Sequence, residues 1–412
     1  MDVYLTLRRN AGNTFSGAAV YEAIAGDYDF ALDQNFAVRR ILAGESERAF
    51  EKTHAMPDRY LDQTNALVYL KADIYRVAGD VPDSLKIEYE YTGDFSSDIA
   101  YNRISDEMIA LDALYINFYP VPIARNTTEK IRPFQKFEMG DENVIAFGKR
   151  AFAIEGFEPY RVINCDEGCI KQFVKMCPFK LLAVDESKIL RKEGGRATAY
   201  YLNEKEDAKA AGTAREASRI IEWYSENLFR GFAAPERMYF ASYDAKKLGG
   251  FNRSITVELE RFYPPDTLKG RHLLAHEIAH YWCISEPPAV WNEQMLAEGC
   301  AEWSYLLYAL SKGRASFVCD YLYLAGQYFV NTIYTAIYNR FHRQKFYNPH
   351  LRGYRTFRDI YKKHGKGALE RCIRHFAGIE IKTMESFLKA VETNEPAEIY
   401  STAKSLATKN LT

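Results

Sequence analysis

The chain has 412 residues, enough for two or three domains with ample core. Its 54 Lys and Arg balance 55 Asp and Glu, so no global field draws it to nucleic acid or to an anionic membrane. The opening Met1-Asp2-Val3-Tyr4-Leu5-Thr6-Leu7-Arg8-Arg9 has no apolar signal core, and the seven cysteines form no even framework, which together imply reduced thiols and a cytoplasmic address.

From the N-terminus, short β-like runs recur at Val3 to Leu7, Tyr28 to Leu32, Ala66 to Val77, Leu85 to Tyr91 and Leu111 to Tyr119. Apolar and charged residues alternate from Leu85 to Tyr91, which puts Leu85, Ile87, Tyr89 and Tyr91 on one face of a half-buried strand. Such spacing predicts an antiparallel β domain of sandwich type. Cys165, Cys169 and Cys177 cluster without a C-x-x-C pair or a nearby His, and read as incidental thiols. Asn126-Thr127-Thr128 and Asn252-Arg253-Ser254 match glycosylation acceptors but lack a secretory context. The polar turn Lys192-Glu193-Gly194-Gly195-Arg196 divides the chain into a β-rich domain over 1–194 and an α+β, mostly helical domain over 195–412.

In the second part, Ala208 to Phe229 reads as a long helix with Ala217, Ile220, Ile221 and Tyr224 facing inward. Arg237 to Ser242 and Ser254 to Phe262 read as strands. The run Asp266 to Ala275 then supplies the cap and first turns of a helix carrying His276-Glu277-Ile278-Ala279-His280. At about 3.6 residues per turn, His276 and His280 share a face and can reach one ion. Glu277 projects about 100° further round, where it can hold a water for the metal to activate. Pro287 and Pro288 end this helix, and a second begins at Trp291. That turn can return Glu298 to the ion as a third ligand and leave a fourth position for water, the arrangement of catalytic zinc. Trp282 and Trp303 read as helix-packing residues. Tyr321 to Asn339 is uncharged, yet Gln327, Asn331, Thr332, Thr335 and five tyrosines mark it as a buried helix rather than a membrane span.

With these residues in view, the stretch from about 195 to 375 resembles the gluzincin family of aminopeptidase N, and the β-rich first part resembles that family's N-terminal saddle domain. The implied fold is a β saddle or sandwich followed by a thermolysin-like catalytic domain. The family signature is H-E-x-x-H, eighteen residues, then Glu within W-N-x-x-x-L-x-E-G. It is matched by His276, Glu277, His280, Trp291, Asn292, Leu296, Glu298 and Gly299, with seventeen residues (281 to 297) in the gap. The missing residue falls in the Pro-containing loop, which tolerates it. The resemblance implies one Zn2+ held by His276, His280 and Glu298, with Glu277 as general base.

Two family elements are altered. Gly249-Gly250-Phe251-Asn252-Arg253 stands where the family has G-x-M-E-N, so Asn252 takes the slot of the Glu that binds the substrate amine. Asn forms no ion pair with an ammonium and Arg253 repels one, though the strand still offers main-chain bonds to a peptide. His364-Gly365-Lys366-Gly367 stands where the family has Y-x-K-G, so His364 takes the slot of the oxyanion-stabilising Tyr, with Tyr361 as its rival one turn earlier. Glu302, four residues after Glu298, is placed to orient the outer nitrogen of a zinc-bound His. The family's large C-terminal helical domain has no counterpart before Thr412, which implies a more open cleft or one covered by a partner subunit in a homo-oligomer. The expected activity is hydrolysis of peptide or protein substrates by an aminopeptidase-like zinc metallopeptidase. The alternatives are an endo- or oligopeptidase, an inactive peptide-binding scaffold that retains its zinc site, and a hydrolase of an epoxide or ester.

Overall fold

Short β-like runs recur through the first part of the chain, and the computed structural model forms its described residues largely into strands. It forms one compact unit of residues 1–190 with 245–248; residues 191–244 with 249–412 form a second. The structure describes residues 2–10, 14–22, 24, 28–63, 66–78, 83–92, 103–112, 118–124, 150–156, 160–165, 180–242, 250–253, 255–283, 291–342, 349–379 and 382–409.

The first unit contains β1 (Asp2–Arg9), β2 (Phe15–Glu22), β3 (Tyr28–Asp33), β4 (Phe36–Ala43), β5 (Ser46–Arg48), β6 (Phe50–Gln63) and β7 (Ala66–Val77). It continues with β8 (Ser84–Tyr91), β9 (Arg103–Ile104), β10 (Met108–Asp112), β11 (Val121–Ala124), β12 (Arg150–Glu155), β13 (Tyr160–Cys165) and β14 (Lys180–Asp185). These pair in the orders β12-β1-β2-β8-β4-β5, β13-β14-β10-β9 and β11-β3-β7-β6. Described pairs in this unit are antiparallel except β1 with β12.

In β8 the alternation works as the residue pattern requires: Leu85, Ile87 and Tyr89 are buried and Tyr91 half-buried. Gly17 lies opposite Tyr89, and a Cβ there would stand 2.2 Å from the tyrosine ring, so the glycine makes room for it. Of the strand expected over Leu111 to Tyr119, Leu111 and Asp112 belong to β10, and residues 113–117 lie outside the described residues. Phe118 and Tyr119 are buried outside any strand. Cys169, Cys177 and Asn126 lie outside the described residues, as does the side chain of Cys165.

The second unit opens with β15 (Leu190–Gly194) and β16 (Ala197–Tyr201), joined by a turn in which Gly195 has φ +59°. The stretch read as an interdomain turn is thus the tip of a hairpin. With β17 (Met238–Ser242), β18 (Gly250–Arg253) and β19 (Thr256–Leu259) they form a sheet ordered β15-β16-β17-β19-β18. β16, β17 and β19 run parallel, and β18 pairs antiparallel at the edge.

Seven helices are described here: α1 (Asp207–Trp223), α2 (Leu268–Cys283), α3 (Trp291–Ser311), α4 (Arg314–His342), α5 (Pro349–Ala377), α6 (Met384–Asn394) and α7 (Ala397–Lys409). α1 passes into a π turn, Tyr224–Leu228, and its Ala217, Ile220, Ile221 and Tyr224 are all buried. Trp282 stacks on Phe229 at 4.7 Å between ring centres, and Trp303 on Tyr354 at 5.8 Å. Both indoles are also hydrogen-bonded, to the carbonyls of Ala233 and Tyr354. Arg271 of α2 grips Asp320 of α4 with two hydrogen bonds of 3.1 and 2.7 Å.

One helix departs from expectation. Among its described side chains, α4 buries Asp320, Leu324 and Tyr328, while Leu322, Phe329, Val330 and Ile333 are exposed. Among the described residues no helix is long and apolar enough to cross a membrane. α5 is broken at Gly365, where φ is 82°.

Candidate metal centre

The centre is assembled by two helices that repeat their polar residues every fourth position. α2 starts where Thr267 Oγ1 accepts a hydrogen bond from the Gly270 N–H at 3.1 Å, a cap for one of the free amides of the first turn. From there His272, His276 and His280 recur at intervals of four and form one stripe. On α3, Glu298 and Glu302 have the same spacing and face that stripe.

His276 Nε2 lies 3.1 Å from Glu298 Oε2, His280 Nε2 lies 3.4 Å from the same oxygen, and the two nitrogens are 3.1 Å apart. A tetrahedral zinc ion with bonds of about 2.0–2.1 Å sets its donor atoms about 3.3 Å apart, so this triangle has the right size. Glu298 Oε2 is buried and accepts no hydrogen bond, although imidazole nitrogens surround it. An anionic oxygen ringed by nitrogens yet hydrogen-bonded to none of them is suited to face a cation. Two imidazoles and a carboxylate form a donor set that zinc accepts. The residues present fit the ion.

Behind the triangle sits Glu302, buried and strongly partnered. It accepts from the Tyr328 hydroxyl, lies 2.8 Å from His272 Nε2, and faces the outer nitrogen of His276 at 3.5 Å. Burial pushes the Glu302 carboxyl up, but His272 and His276 outweigh it and hold it well below the usual range. For Glu298 burial is likewise outweighed, here by His350, His280 and His276. Burial drives the His276 ring down, while Glu302 and Glu298 hold it well above its ordinary value. Glu277 behaves in the opposite sense: it is buried, and burial raises its carboxyl despite the imidazoles of His276 and His280.

The structure therefore brings His276, Glu277, His280, Glu298 and Glu302 together. It also adds His350, from the first turn of α5, whose Nδ1 stands 3.1 Å from Glu298 Oε2. His272 was visible in the sequence as the residue one turn before His276. His350 carried no local signal, since only a helix crossing delivers it.

His364 and Tyr361 are not brought to the centre. The unbroken part of α5 runs from His350 to His364, and fourteen residues at about 1.5 Å each put His364 about 21 Å away along the axis. Its Nε2 lies 2.9 Å from Thr402 Oγ1 on α7. Tyr361 packs on Trp303 and Phe317, with ring centres 5.1 and 5.9 Å away. Both assignments are corrected on these grounds. Gly250, Phe251 and Asn252 lie in β18, the edge strand, which packs beside α2. The side chains of Phe251 and Asn252 lie outside the described residues, as does Gly249 altogether.

No family model and no curated protein matches this chain in sequence. Solved structures do. Native leukotriene A4 hydrolase from the yeast Saccharomyces cerevisiae aligns with 99% of this chain and 66% of its own, at a TM-score of 0.57 and 12% identity. The M1 zinc metallopeptidase of Deinococcus radiodurans aligns with 98% of this chain and 92% of its own, at a TM-score of 0.53 and 16% identity. A two-domain M1 zinc metallopeptidase mutant bound to L-arginine aligns over the same shares, with a TM-score of 0.55 and 15% identity.

The chain has the fold of M1 zinc metallopeptidases. Its succession of largely antiparallel sheets and then helices corresponds to their two-domain architecture. It spans 66% of the length of the yeast enzyme it matches.

Proposed function

We propose that this chain is a zinc metallopeptidase of aminopeptidase-like type, with its catalytic domain beginning near residue 195. The observation that carries the reading is the triangle of His276, His280 and Glu298 donor atoms, 3.1 to 3.4 Å apart, with Glu277 buried beside it. A zinc ion held by those three residues supplies Lewis acidity toward the scissile carbonyl and toward water.

The chain's own residues do the remainder. Glu277 takes a proton from the attacking water and passes it to the leaving amine; its burial-raised carboxyl suits both halves of that transfer. Glu302, steadied by His272 and Tyr328, orients the His276 ring through its outer nitrogen. β18, at the sheet edge and beside α2, offers main-chain groups to an extended peptide. A peptide substrate is supported by the fold: one M1 metallopeptidase mutant from Deinococcus radiodurans has been seen with a Tyr-Ser-Ala substrate. Free Cys283, Cys300, Cys319 and Cys372 support a reducing, cytoplasmic setting.

The test compares wild type with Glu277→Gln on a peptide library. Metal content should match, while kcat/KM falls by about 10²- to 10⁴-fold. Two equally inert proteins would favour the scaffold alternative, and equal non-zero rates would remove Glu277 from the role of general base. Faster cleavage of free than of N-acetylated peptides supports the aminopeptidase assignment; the reverse makes the enzyme an endopeptidase.

A further inference from the structure

The sequence motif leaves His350 without a task. Its Nδ1 stands 3.1 Å from Glu298 Oε2, the separation at which His276 Nε2 stands from that same oxygen. The ring stacks on that of His276, with centres 5.5 Å apart and planes inclined by 26°. His276, Glu298 and His350 present donor atoms within 4.8 Å of one another. The side chain is 16% exposed, and Glu298 Oε2 accepts no hydrogen bond from it. The same nitrogen lies 3.8 Å from Glu302 Oε1, so it sits between the two carboxylates of α3.

The approach is built into the backbone. A Cβ on Gly353 would stand 1.9 Å from the Met295 carbonyl oxygen, and one on Gly299 would stand 2.6 Å from the Gly353 carbonyl. Two glycines thus let α3 and α5 touch main chain to main chain. Glu298 immediately precedes one of them, and His350 lies about one turn before the other. The closest point of the crossing falls beside both side chains.

Resting on the reading of this cluster as a zinc seat, we propose that His350 is a fourth protein donor to the metal, through Nδ1. His350 Nδ1 lies one tetrahedral edge, 3.1 Å, from Glu298 Oε2 and shares a donor group with His276 and Glu298. The resting set is then three imidazoles and one carboxylate. His350 holds the corner that water needs, so hydrolysis requires either a fifth donor position or the release of His350.

The experiment uses the full chain, stripped with a chelator and reloaded with zinc or cobalt(II). X-ray absorption of the zinc-loaded wild type should count three imidazoles, and His350→Ala should weaken metal binding about tenfold or more and shift the cobalt absorption bands. Two imidazoles in the wild type overturn the assignment. So does a His350→Ala chain that melts like wild type and keeps both its metal affinity and its cobalt bands. Either result leaves the proposed peptidase standing, whereas a wild type that takes up no metal overturns both.

Discussion

Replacing Gly353 with alanine sets two effects of opposite sign against each other. Within a helix, alanine is intrinsically better than glycine by about 1 kcal/mol. Against that, the new Cβ would stand 1.9 Å from the Met295 carbonyl oxygen and 2.5 Å from the Gly299 nitrogen. Ordinary contacts lie at about 3.5–4.0 Å, so α3 and α5 must part by about 1.5 Å. Neither neighbour is the tip of a side chain that can swing aside; both are main chain of α3. Overpacking of this kind costs about 3 kcal/mol, and the propensity gain offsets a third of it, which leaves a net loss of about 2 kcal/mol. Gly326 provides the internal control, because it lies on an exposed face of α4 and a Cβ there meets nothing within 4 Å. Gly326→Ala should stabilise by about 0.5–1 kcal/mol. Urea unfolding of both variants reads the difference. If Gly353→Ala proves as stable as wild type, or if both substitutions shift the midpoint in the same direction, the tight crossing is wrong.

Asp320→Ala removes both hydrogen bonds from Arg271, whose side chain is only 17% exposed, and should cost about 3 kcal/mol, visible as a lowered melting temperature. Trp303→Ala empties the largest fully buried side chain and leaves the Tyr354 carbonyl without its indole donor; a loss of about 3–5 kcal/mol is expected by the same melt. Burial pushes the Glu395 carboxyl up, but Arg371 and His375 outweigh it and hold the pKa below the ordinary 4.5. A depressed carboxylate stabilises above its unfolded pKa and loses that contribution as pH falls through the folded value. Stability should therefore decline on acidification below about 4.5, and Glu395→Gln should flatten that part of the curve in melts across the acid range. Zinc at one hundred times its dissociation constant should stabilise the chelator-stripped chain by about 2.7 kcal/mol, and the same addition should do much less for His280→Ala.

What could be read from the residues alone was local. The four-residue spacing of His276 and His280, the proline pair after them and the helix that returns Glu298 all act within about two dozen residues. Helix geometry converts that order directly into convergence. His350 depends instead on a crossing between helices whose only written trace is Gly299 and Gly353, each unremarkable by itself. The assignments of His364 and Tyr361 followed the order of a family motif, and order carries no information about distance along a straight helix. Composition misled in a related way at α4. An uncharged stretch suggested a buried helix, but a tally of residues cannot distinguish one helix face from another, and Leu322 and Phe329 are exposed. In the β unit, alternation located β8 well because burial of a strand face is itself periodic.

The π turn at Tyr224–Leu228 makes the end of α1 a measured length. A π turn amounts to one residue inserted into an α-helix. Within it Tyr224 donates to the Ala275 carbonyl, one residue before His276, and just after it Phe229 stacks on Trp282. Deleting a single residue between these two anchors would let the segment relax to ordinary α geometry, with Phe229 four residues after Tyr224 and close to its present phase. Both braces of the histidine helix, Tyr224 on Ala275 and Phe229 on Trp282, would then be kept. A one-codon deletion at this turn, where Glu226 and Asn227 are exposed, would therefore spare the metal centre, whereas the same deletion inside a regular helix would turn everything beyond it by about 100°.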